Sequence, residues 1–223
     1  MLEETIRQIA IWAVPLLFAV VFHELAHGWV ANRLGDPTAA RLGRLSLNPL
    51  AHIDLFGSII IPLTLIVSHS PFVFGYAKPV PVNFNNLRHP KHDMVWVALA
   101  GPVMNLLLAL GFMIAWKALM PLAAQHQGEA SSGVTSFLAP LVLMVQSGIL
   151  INISLAVFNL FPLPPLDGGR VAVGLLPEPL SSKLAGIERF GMLILIMLLY
   201  TRMLDRVIDV PTEFLLKLYF GLF

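Results

Sequence analysis

Residues 6–32 form an apolar stretch of 27 residues, and inside its second half stands His23-Glu24-Leu25-Ala26-His27-Gly28. About 20 apolar residues are enough to cross a bilayer as a helix. The stretch therefore predicts a membrane span that carries two histidines and a glutamate. Ionisable groups are costly in hydrocarbon and must face other protein, so the rest of the chain has to cover this face. Helical residues four apart lie on one face, one turn apart. His23 and His27 thus point the same way and can share a metal ion, and Glu24 stands where a base could take a proton from a metal-held water. A His-x-x-x-His pair alone is more often structural. The glutamate between the pair and the apolar setting favour the metal.

Composition then bounds the class. Of 223 residues, 57% are hydrophobic and 12% charged, with mean hydropathy +0.80, against about 25% charged in soluble domains. The expected fold is an all-α polytopic membrane protein, a bundle of about four to six transmembrane helices. It forms one membrane-embedded domain over residues 1–223, with a core at about 6–170 and C-terminal helices at 171–223. A net charge of +1 implies no nucleic-acid partner. With no cysteine, a metal must be held by His, Asp or Glu. Glu3 and Glu4 make the N-terminus acidic and no small-residue cleavage site precedes the histidines, unlike a signal peptide.

Further spans are expected at 94–120, 139–161 and 187–204, with an interfacial helix or tilted last span at 211–223. Residues 125–136 form a polar loop without Lys or Arg. Arg33, Arg41 and Arg44 follow the first span, so that loop is expected on the cytoplasmic side of the cell inner (plasma) membrane, with the histidines toward the cytosol. Residues 55–67 are apolar but contain Pro62, and 72–84, with Gly75, Pro79 and Pro81, read as extended. Basic residues on both sides favour a re-entrant hairpin here over a plain span at 53–69. Its extended arm offers an edge that an unwound substrate strand could pair with.

A catalytic zinc usually has three protein ligands and one open position. The acidic candidates for the third are Asp54 and Asp167. Asp167 lies at the cytoplasmic end of the 139–161 span, in Asn159-Leu160-Phe161-Pro162-Leu163-Pro164-Pro165-Leu166-Asp167-Gly168-Gly169, a backbone bent by prolines and glycines. It is the expected third ligand; the alternative is a cap on a helix beginning at Gly168. Asn105, in Gly101-Pro102-Val103-Met104-Asn105, either faces substrate or is an interhelical hydrogen-bond donor. His52 reads as a loop histidine or a support behind the ligands. His69, His89, His92 and His126 read as surface or structural.

Taken together, these motifs resemble the site-2 protease family of intramembrane zinc metalloproteases (peptidase M50), in its small bacterial branch without PDZ or CBS domains. Asn48-Pro49-Leu50-Ala51-His52-Ile53-Asp54 and Gly75-Tyr76-Ala77-Lys78-Pro79-Val80-Pro81-Val82-Asn83 add to the likeness. The resemblance implies one zinc per chain on His23, His27 and Asp167, with Glu24 activating water. It implies a role for Asn159, and less firmly Asn105, beside the oxyanion of the scissile peptide. The partners would be the lipid bilayer and transmembrane substrate proteins. The alternatives are a non-catalytic relative that binds transmembrane segments, and a membrane metal transporter. A transporter should spread polar residues across the depth of its spans, whereas here they gather at one level.

Overall fold

Pro90 supplies the first residue of the longest helix, where its missing N–H costs nothing, and Asp93 reaches back to accept from the amide of His89 at 2.9 Å. In this computed structural model, which describes residues 2–68, 75–125 and 133–222, that helix is α4. It runs Pro90–Gln125 and packs against α1, Leu2–Arg33, and α5, Gly133–Asn159. Among the described residues, three helices are long and apolar enough to cross a membrane: Ile6–Arg33, Pro90–Gln125 and Phe137–Asn159. His69, His126, the start of the 72–84 stretch and most of the 125–136 loop lie outside the described residues.

The C-terminal part differs in detail from the sequence expectation. A short helix α6, Asp167–Leu175, packs on α4 and precedes α7, Leu180–Tyr200, and α8, Asp205–Leu222. The helices expected at 187–204 and 211–223 are present with shifted bounds, as α7 and α8, and the pair is bent by 80°. Arg202, with φ 54°, takes the left-handed conformation at the corner, and α8 runs through Pro211. By length and composition the described residues therefore hold three candidate spans, or four if the bent pair is one.

Between α1 and α4 the chain makes α2, Thr38–Arg41, a 3₁₀ turn at Pro49–His52, and a π-helical turn at Leu55–Ile60 that runs into α3, Ile61–Val67. Asp54 caps this last unit by accepting from the amides of Phe56 and Gly57. The apolar helix is too short to cross a bilayer. Residues 75–83 then return along its start as an extended strap. The Tyr76 amide donates to the Gly57 carbonyl at 3.0 Å, and the Lys78 amide to the His52 carbonyl at 2.9 Å. Gly57 is needed here, because a Cβ would collide with the Tyr76 ring. These bonds lay the strap along the residues that lead into the short apolar helix.

Apolar packing completes the scaffold. Ala109 and Met113 of α4 meet Ile149 and Ile153 of α5, all at most 1% exposed, and α8 covers them through Leu215, Leu216 and Tyr219. Leu166, Leu195 and Leu204 form a second cluster beneath the start of α6. The outward face of α1 leaves Leu16, Leu17 and Phe18 exposed, as lipid contact requires.

Candidate metal centre

His23 and His27 occupy successive turns of α1 and are both buried. Their Nε2 atoms lie 3.0 Å apart. Gly101 of α4 lies against them, and a Cβ there would run into both imidazoles. Glycine at this position is what allows α4 to press its backbone against the pair.

Asp167 arrives from the other end of the chain. Helix α5 stops at Asn159, the proline-rich turn reverses the backbone, and Leu166 takes the N-cap position without a side-chain bond. A Cβ on Gly168 would strike the Leu160 carbonyl, and one on Gly169 the Pro164 nitrogen. The two glycines therefore let α6 start in contact with the turn that precedes it. Asp167 is the first residue of α6, and its carboxylate does not cap the helix. Its Oδ2 lies 3.2 Å from Nε2 of His23 and 3.3 Å from Nε2 of His27. The negative charge also sits at the positive end of the helix dipole.

The tautomers decide what this triangle can hold. His27 Nδ1 lies 2.7 Å from the Val97 carbonyl, an atom that only accepts, so Nδ1 carries the proton. His23 Nδ1 donates to Asn105 Oδ1 at 2.6 Å. In the neutral imidazoles both Nε2 atoms are then lone pairs, and they face a carboxylate. Asp167 Oδ2 is buried with no hydrogen-bond donor. Three acceptors 3.0–3.3 Å apart repel unless a cation lies among them. Ligand atoms on a tetrahedral zinc stand roughly 3.3–3.6 Å from one another, given bonds of about 2.0–2.2 Å. The cluster His23, His27 and Asp167 therefore fits zinc in donor type and burial, with separations at or slightly under that range.

Glu24 is not one of the three corners but lies beside them on the wall of a cavity. Together with His23 it lines a cavity of about 440 Å³, walled by Tyr76, Pro79, Phe158 and Asn159, and an adjoining one of about 340 Å³ that reaches His27 and Asp167. Glu24 Oε2 accepts from the Val80 amide of the strap at 2.7 Å. One turn on, Gly28 has no side chain to obstruct Val80, so the strap can close on α1. Arg44 donates to the carbonyls of Lys78 and Pro79 at 3.1 and 3.3 Å. Asp36 holds the far end of the strap, accepting from the Asn83 amide at 2.7 Å, the Asn86 side chain at 2.9 Å, and the Thr38 amide and hydroxyl. Burial pushes the Asp36 carboxyl up, but these donors outweigh it and hold its pKa below the ordinary aspartate value.

The other sequence candidates fall as follows. Asn159 lines both cavities; one amide proton goes to the Leu155 carbonyl at 3.0 Å, and an amide has a second to give. Asn105 is 0% exposed, behind His23, with both ends of its amide in use. It supports a histidine from within the bundle and does not face the cavity that substrate would enter. Asp54 is a helix cap. His52 is buried and donates from Nε2 to the Ser46 carbonyl at 2.8 Å, a loop histidine. His89 gives its amide to Asp93, and exposed His92 lies beside the same residue. In the strap, the amides of Tyr76, Lys78 and Val80 and the carbonyls of Tyr76, Lys78 and Pro79 already have partners. That leaves little free edge for the strand pairing expected from sequence.

Comparison with known proteins agrees with this chemistry. A family model described as "Peptidase family M50" matches residues 11–199. A Bacillus subtilis protein named "Putative zinc metalloprotease YwhC" is 36% identical over 216 residues, covering 94% of this chain and 91% of its own. Two mycobacterial proteins, each named "Putative zinc metalloprotease Rip2", are 30% identical (Mycolicibacterium smegmatis) and 29% identical (Mycobacterium tuberculosis). The matches cover 85% of this chain and 66% and 65% of theirs. No solved structure matches the chain significantly.

Proposed function

The chain belongs to peptidase family M50, and from that premise we propose that it is a zinc endopeptidase cutting other membrane proteins within or beside their transmembrane segments. The observation that carries the reading is the triangle of acceptors, His23, His27 and Asp167, with Glu24 beside it on the cavity wall. These three residues hold the zinc. When bound, zinc supplies Lewis acidity, which makes water a competent nucleophile near neutral pH and polarises a peptide carbonyl.

The chain's own residues do the rest. Glu24 takes the proton from the attacking water and passes it to the leaving nitrogen. To do so it exchanges the Val80 amide for water, so the strap moves or the second carboxylate oxygen is used. The free amide proton of Asn159 faces the developing oxyanion. A transmembrane helix hides its carbonyls in its own hydrogen bonds, so the substrate unwinds locally before attack. The larger cavity offers an apolar wall of Leu155, Phe158, Met192 and Leu195 opposite the strap for such a segment. The basic loop after α1 supports a site that faces the cytoplasmic side of the inner membrane.

The test runs zinc analysis and cleavage of a transmembrane reporter in parallel for the wild type and Glu24→Gln. Stoichiometric zinc in both is expected, with cleavage reduced about 10²- to 10⁴-fold in the variant, the range for loss of a general base. Undiminished cleavage by Glu24→Gln rules out Glu24 as the base, and a wild type without zinc overturns the metal reading.

A further inference from the structure

The two histidines are oriented by different means. His27 leans on a backbone carbonyl, Val97, which no side-chain substitution removes. His23 leans on a side chain whose two ends could be interchanged. An amide can present oxygen or nitrogen, and only the surrounding hydrogen bonds determine which. If Asn105 turned its nitrogen to His23, the proton would move to Nε2, the atom the metal needs. Something must therefore hold Asn105 the right way round.

We propose that Asn152, on α5, is a positioning residue that fixes the orientation of Asn105 and, through it, the metal-binding tautomer of His23. Asn152 is 0% exposed, in the middle of an apolar helix. Its Nδ2 lies 2.8 Å from the Gly148 carbonyl one turn back. A carbonyl only accepts, so nitrogen must sit there and Oδ1 must face Asn105. Asn105 Nδ2 lies 2.8 Å from that oxygen and 3.2 Å from the Ala19 carbonyl of α1. Both amide protons of Asn105 are thereby spent on acceptors, and its oxygen is left for His23 Nδ1 at 2.6 Å. Reversing Asn105 would create two buried acceptor–acceptor contacts, with Asn152 Oδ1 and with Ala19. The network runs in one direction only, from two backbone carbonyls to the proton on His23 Nδ1. It joins α1, α4 and α5 at the level of the site.

This inference rests on the zinc reading above, and the experiment separates the two. Zinc affinity of the full-length protein in detergent is measured by chelator competition for the wild type, Asn105→Leu, Asn152→Leu and the double variant. Loss of a group that orients a ligand costs about 10- to 100-fold in metal affinity, the range expected for Asn105→Leu. Asn152→Leu, one step further back, should cost roughly three- to tenfold, a smaller share of that same effect. In the double variant Asn152→Leu should add nothing, because its effect passes through Asn105. Ile153→Val, a packing change on the neighbouring residue, should leave affinity unchanged. Asn152→Ala replaces Asn152→Leu, with the same expectations, if the leucine variant does not fold. Wild-type affinity in the Asn152 variant, additivity in the double variant, or an equal loss in Ile153→Val overturns the proposal. A wild type that binds no zinc overturns the zinc reading instead.

Discussion

The two sides of the centre are built in opposite ways. On the ligand side, His23 and His27 are buried between α1 and α4, each Nδ1 is assigned by a partner, and Gly101 brings the backbone up against them. On the base side, Glu24 looks into an open cavity, and the strap bonded to it is extended chain tied down at a few points: Arg44, Asp36 and the carbonyls of His52 and Gly57. Metal binding requires fixed distances, so the ligand side is packed like a core. A peptide must enter on the other side, so its walls are held by hydrogen bonds that can be exchanged. Substitutions on the two sides should therefore separate zinc content from turnover.

The largest effect belongs to the ligand side. Asp167→Ala should abolish stoichiometric zinc and cleavage together, as read by metal analysis, and full occupancy would identify a different third ligand. Gly101→Ala comes next. Its methyl group would enter the space of both imidazoles, and zinc affinity should fall roughly 10- to 100-fold, as when ligand orientation is lost. The strap side should behave differently. Arg44→Ala removes two bonds to the strap, and cleavage should fall roughly three- to tenfold, the worth of a hydrogen bond or two, while zinc stays stoichiometric. Zinc loss in Arg44→Ala would show that the two sides are not separable.

The smallest effect is a pH dependence. The folded pKa of Asp36 is depressed, so its contribution is complete above the ordinary aspartate value of about 3.9 and is lost as pH falls through the lower folded value. The protection of the amides in residues 80–86 against hydrogen exchange, taken relative to the intrinsic rate at each pH, should therefore be constant near neutrality and fall only in acid. Asp36→Asn should remove that acid step, and an unchanged step in this variant would assign it to another group.

Much of this was legible in the sequence. The span holding His23, Glu24 and His27 stood out because an apolar run rarely tolerates ionisable groups that serve no site, and the prolines and glycines around Asp167 marked a backbone bent for a purpose. The interruption by Pro62 and the prolines and glycine of the following stretch pointed to a short helix followed by an extended return, and the described residues show both, at Ile61–Val67 and 75–83. Other parts were hidden for physical reasons. Val97 acts through its carbonyl, which every residue has, so no letter marks it. Asn152 left a faint trace, a lone amide in an apolar helix, but only three-dimensional contact pairs it with Asn105. The reading of Asn105 as substrate-facing failed because depth along a helix can be estimated from sequence, while the direction a side chain faces depends on its neighbours. The 80° corner between α7 and α8 rests on one left-handed residue, Arg202, which sequence gives no reason to single out.

The meeting of Asp167 with His23 and His27 also has a consequence in polymer terms. Any ion shared by the three ligands is a cross-link between distant points on one string, closing a loop of roughly 140 residues that contains α4 and α5. A tie of that length restricts the open chain far more than the folded one, as a long-range disulfide does. In a protein without cysteine, the metal is then also a mechanical clasp. Stripping it should loosen the docking of α6 on the bundle even where every helix stays intact.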